Sequence, residues 1–115
     1  MDFNIDYLKD IIPKRINDFI VKTDFTVNLQ QEHLYDDLNR PLFDPLNQYI
    51  EVRCDLACVH DKYKKQTFVY KHGFSETDIY LLSTATGDYL EYLRDCILRE
   101  VKDFVLHLIE WVNNI

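Results

Sequence analysis

Cys54, Cys58 and His60 are the first residues in this chain whose types suggest chemistry, because thiolates and an imidazole are ligands for zinc. Their surroundings argue against that use. Ile50, Val52, Cys54, Leu56 and Cys58 alternate with Tyr49, Glu51, Arg53, Asp55 and Ala57, which is the period of a strand. Ligands spread along an extended strand do not converge on one tetrahedral centre without help from elsewhere, so buried thiols and no metal are expected. Four residues of strand also hold the Cα atoms of Cys54 and Cys58 about 13 Å apart, and a disulfide needs less than about 7 Å. With Cys96 the thiols make an odd count, and reduced cysteines in a cytosolic setting fit best.

A metal-dependent nuclease would place Asp44 ahead of a strand carrying Glu51, with a lysine two residues further on. Arg53 stands there instead. Its guanidinium stays charged and cannot accept a proton, so cross-strand ion pairing of Glu51, Arg53 and Asp55 is the expected role. His33, His60, His72 and His107 are scattered without a nucleophile beside them, and His107, one turn from Asp103 and near Glu110, reads as a surface residue. Gly73 and Gly87 are the only glycines, too few for a phosphate-cradling or dinucleotide loop. The expectation is a non-enzymatic protein without a cofactor.

The element that must organise any site is the last quarter of the chain. Leu90, Leu93, Ile97, Val101, Phe104, Leu108 and Val112 recur at helical spacing, which predicts one long amphipathic helix over 88–115. Asp88 and Glu91 resemble a capping box at its start. Beyond Val101 the apolar arc widens to include Val105, Leu106, Ile109 and Trp111, and a helix apolar nearly all round is covered on more than one side. Leu106, Ile109 and Trp111 are therefore candidate oligomer-interface residues. Near the other end, Ile5, Leu8, Ile12, Ile16 and Phe19 keep helical spacing and predict a helix over 4–22, kinked or broken at Pro13. Asp2, Asp6 and Asp10 would line one face of it.

Between these helices, a short strand is expected around Phe25, Val27 and Leu29 and a long one over 48–60. A turn over 61–65 then leads to a strand over 66–72, completing an antiparallel hairpin. Residues 31–47, with Pro41 and Pro45, read as a long irregular connection in which Leu34 and Leu38 form a helical turn or two. Leu42 and Phe43 there either tuck under the sheet or belong to a binding loop. Residues 75–86 fit a helix beginning at Ser75 with Asp78 as capping partner, although a short buried strand at 79–82 would also fit. The sum is an α+β two-layer fold. A small antiparallel sheet of about three strands packs against N-terminal and C-terminal helices within a single globular domain, 1–115.

Composition bounds the partners. Twenty acidic against thirteen basic residues give a net charge of -7, which opposes general nucleic-acid binding and favours a basic protein partner. Lys62, Lys64, Lys65 and Lys71 nevertheless cluster at the predicted hairpin. No apolar run approaches the roughly 18 residues of a membrane span, and the acidic start MDFNIDYLKD lacks a signal-like basic region, so a cytoplasmic protein is expected. Two functions follow as expectations. One is a small acidic inhibitor or neutralising protein, of immunity, antitoxin or anti-defence type, that docks on and blocks a larger protein through Tyr35, Asp36, Asp37, Asp44, Tyr49 and Glu51. The alternative is a structural subunit of a phage or virus-like assembly, of tail or head-tail connector type, self-associating through the last helix.

Overall fold

The computed structural model of the protein describes residues 4–29, 34–35, 38, 41–42, 48–84 and 87–115, without the side chains of residues 34, 35, 41, 42, 83 and 84. A short helix α1 (Asp6–Lys9) leads into β1 (Arg15–Ile16) and β2 (Phe19–Asn28), then β3 (Leu34–Tyr35), β4 (Pro41–Leu42), β5 (Tyr49–Cys58) and β6 (Lys65–Gly73). Helices α2 (Glu76–Thr84) and α3 (Asp88–Asn113) complete the chain. The main sheet is antiparallel with strand order β1-β2-β5-β6, and β3 pairs with β4 separately. This is the expected α+β arrangement, with four strands in the main sheet where about three were expected.

The extra strand comes from the region read as the first helix. That helix stops at Lys9, because Pro13 lacks an N–H and its ring excludes a continuing helix. Asn17, at φ +50°, sits in the left-handed region that asparagine tolerates, and with Asp18 it turns β1 back onto β2. From Phe19 the pattern has a period of two: Phe19 and Val21 are buried, while Ile20 and Lys22 face out. Phe19 to Asn28 then pairs along its whole length with β5. Leu34 is likewise in β3 and not in a helical turn.

Strand β5 is central, and Ile50, Val52, Cys54 and Leu56 point into the core at 0 to 1% exposure. Helix α3 lies over that face and buries Leu93, Ile97, Val101, Val105, Leu108 and Val112. Trp111 stacks edge-on against Phe19 at 5.2 Å and Phe68 at 5.6 Å, so it ties β2 and β6 to the helix. Helix α1 occupies the same layer: Leu8 is fully buried, and the Lys9 ammonium lies over the inward Phe25 ring. Residues 75–84 follow the helical alternative. The Asp78 N–H donates to Ser75 Oγ (3.1 Å) and the Ser75 N–H donates back to Asp78 Oδ2 (2.9 Å), a reciprocal capping box. Asp88 and Glu91 do not form the second one, because Gly87 at φ +110° is the N-cap and has no side chain to offer.

Candidate docking surface

Because α1, α2 and α3 all join the core on one face of the sheet, the outward residues of β2, β5 and β6 stay largely exposed. Register fixes what that open face presents. Across β2, β5 and β6 its rows are Ile20, Ala57 and Lys65; Lys22, Asp55 and Thr67; Asp24, Arg53 and Val69; and Thr26, Glu51 and Lys71. Ile20 and Val69 are half exposed, at 51% and 53%, amid charges of both signs. The charges brace one another. Thr67 Oγ1 donates to Asp55 Oδ1 at 2.6 Å and Arg53 Nε donates to the same oxygen at 3.4 Å. The Thr67 hydroxyl, with Arg53 and Lys22, holds the Asp55 carboxyl below its usual range. The Lys71 ammonium lies 4.3 Å from the Tyr49 ring centre, a close cation–π contact.

Two of the sequence-derived partner residues, Tyr49 and Glu51, thus meet on this open face. The Tyr35 backbone lies in β3, but its side chain is outside the described residues, as are Asp36, Asp37 and Asp44. Leu42 and Phe43, candidates for packing under the sheet, are outside them too, apart from the Leu42 backbone in β4. The three candidate interface residues of α3 separate. Leu106 is 55% exposed on the solvent side, whereas Ile109 and Trp111 are partly buried and pack on the protein's own core. Most of the wide apolar arc is therefore covered within the fold.

No protein family, curated protein or solved structure matches this chain.

Titratable groups gather at two further places. Under the β6 end of the sheet, the Tyr70 hydroxyl donates to Glu100 Oε1 at 3.2 Å, and His72 Nδ1 lies 3.5 Å from the same oxygen. Burial and the Glu100 charge raise the Tyr70 pKa. Beside it the Tyr89 hydroxyl donates to Asp78 Oδ1, which raises Tyr89. Burial pushes Asp78 up, but the bonds from Tyr89 and Ser75 outweigh it and leave the carboxyl below its usual range. Among the described residues, no group of three His, Cys, Asp or Glu side chains is placed to hold a metal ion. Cys54, Cys58 and Cys96 are all free thiols, and burial raises the Cys54 thiol pKa.

The second place joins α1 to α3. The Arg94 guanidinium lies 5.9 Å from the Tyr7 ring centre, yet Tyr7 Oη and Arg94 Nε are both buried without a hydrogen-bond partner among the described residues. Burial pushes the Tyr7 pKa up to about 12, against the opposing Arg94 charge. An unpaired buried hydroxyl costs free energy, so Tyr7→Phe is expected to leave stability unchanged or raise it by about 1 kcal/mol. Urea denaturation checks this, and a loss above ~1 kcal/mol would mean that the hydroxyl is bonded after all.

Tyrosines whose folded pKa exceeds the unfolded value hold their proton more tightly when folded. Their contribution is fully present below the unfolded value of 10.0 and is lost as pH rises through the folded value, about 12 for Tyr7. The melting temperature should accordingly begin to fall above pH 9.0, where the buried Cys54 thiol holds its proton more tightly than the unfolded chain does, and fall further between pH 10 and 12, as Tyr7, Tyr70 and Tyr89 ionise with unfolding. Tyrosinate absorbance that completes its rise near pH 10 without unfolding would contradict this.

Proposed function

We propose that this protein is a non-enzymatic protein-binding module, a small acidic inhibitor or neutralising protein that docks on and blocks a larger protein. Its type would be immunity, antitoxin or anti-defence. The observation that supports this reading is the open sheet face, on which half-exposed Ile20 and Val69 lie among fixed charges with Tyr49 and Glu51 beside them. Interfaces of this kind combine apolar and aromatic anchors with a charged rim that fixes register and rejects wrong partners. The net charge of -7 favours a basic target and fast encounter with it.

The test immobilises the protein and compares capture of its target by wild type and by the Ile20→Asp, Val69→Asp double variant. Both substitutions lie on exposed positions and should leave the melting curve unchanged. Loss of the target with the fold intact supports docking through this face. Retention by the double variant sinks it. Reversal of Asp36, Asp37 and Asp44 to Lys, measured alongside, decides whether the acidic segment takes part.

Leu106 supports a second reading, in which the protein is a structural subunit of a phage or virus-like assembly. A leucine 55% exposed on an otherwise polar helix side fits a contact between copies. Light scattering over a concentration series separates the two readings: a stable oligomer dissociated by Leu106→Asp favours the subunit, and a monomer at every concentration favours the inhibitor.

A further inference from the structure

A groove of about 600 Å³ runs along the outer edge of β2, where it takes in Ile20 and Lys22 from the rim of the open face but not Val69. Its origin is Pro13. The β1 ladder ends where the Val21 N–H donates to Lys14 O at 3.0 Å, and beyond that point Pro13 turns the chain away toward α1. Among the described residues, strand β2 continues without a neighbour on that side. Backbone groups of successive strand residues point to alternate sides, and Val21 points outward, so Thr23, Phe25 and Val27 also direct their N–H and C=O groups away from β5. Among the described residues these groups have no partner. A row of unpaired strand groups is a template for one more strand.

The groove walls say what that strand should carry. Ile12, Pro13, Val21 and Phe25 give it an apolar side, and Lys9, Lys14 and Lys22 stand around it. Lys9 is engaged by Asp6 at 3.2 Å, whereas Lys14 has no ion-pair partner among the described residues. Three lysines around one apolar groove, in a chain of net charge -7, form a local reversal of charge. Beside β6, by contrast, the depression of about 500 Å³ that Lys65 lines also holds the charged Arg53 and Asp55. We infer that the β2 edge binds an extended acidic segment of a partner protein by strand addition, with apolar residues at alternate positions against Ile12 and Phe25 and carboxylates near Lys14 and Lys22. Main-chain hydrogen bonds hold such a segment, and the alternating side chains select it.

The probe is a synthetic seven-residue peptide alternating Glu and Val, blocked at both ends, titrated into the isotope-labelled protein. Two control peptides accompany it, one with Lys replacing Glu and one N-methylated at alternate residues. The expected result is slowed hydrogen exchange at the Thr23, Phe25 and Val27 amides, with affinity lowered about tenfold by Lys14→Glu combined with Lys22→Gln. Thr23→Pro, which removes one outward donor, should weaken binding as well. The Lys and N-methylated peptides should bind at least about tenfold more weakly, and Val69→Asp should leave binding unchanged. Equal binding of the Lys peptide overturns the charge selection, and equal binding of the N-methylated peptide overturns strand addition. Absence of protection at the three amides overturns the site.

Discussion

Leu108→Ala should lower the unfolding free energy by about 2 to 5 kcal/mol, whereas Leu106→Asp on the same helix should change it by less than ~0.5 kcal/mol. The two leucines are near neighbours in the chain with opposite environments. Leu108 is fully buried over the sheet, so its truncation removes apolar contacts and leaves a cavity that the packed layer fills only in part. Leu106 is 55% exposed, and an added carboxylate there stays in water. Urea titration followed by circular dichroism measures both. Equal destabilisation by the two variants would mean that the helix is rotated from the orientation described, and a tolerated Leu108→Ala would mean that the core is looser than its burial implies.

Trp111→Ala is expected to cost about 3 kcal/mol, the low end of the range for a large aromatic ring because Trp111 is only partly buried. It removes a side chain that contacts Phe19 of β2 and Phe68 of β6 together. Edge-on ring pairs add a further increment beyond the area they bury. The measurement distinguishes an internal role from an intermolecular one: a loss of stability that does not depend on protein concentration assigns Trp111 to the fold. Unchanged stability with a reduced solution mass would assign it to an interface.

How much could be read from residues alone varies along the chain. The last helix was legible because Leu93, Ile97, Val101, Leu108 and Val112 repeat over many turns, and all are buried where that repeat requires. The central strand was legible for the same reason with a period of two. The opposite end is more instructive. Leu8, Ile12, Ile16 and Phe19 carry a helical spacing and are all buried; Leu8 does lie in a helix, but at Ile16 and Phe19 the periodicity found core residues while naming the wrong element. A proline, a left-handed asparagine and a β-rich run after Phe19 outweighed it, since long-range pairing with β5 decides between conformations that local spacing leaves close. The open face was legible only as outward positions of one strand. Its completion by Ile20, Lys22 and Val69 depends on register, as does the convergence of Lys9, Lys14 and Lys22 on one groove.

The contact between Asn17 and Asn113 places a constraint on how this chain reaches its native state. The Asn17 amide donates to Asn113 Oδ1 at 3.1 Å across a separation of 96 residues, and Phe19 meets Trp111 nearby. The two ends of the described chain must meet before the inner face of the sheet is sealed. Closing so long a loop is slow, and the aromatic floor formed by Phe19 and Phe68 stays open to water until α3 arrives. During that interval the bare sheet is the species most exposed to self-association, so refolding yield should fall with protein concentration more steeply than native solubility does.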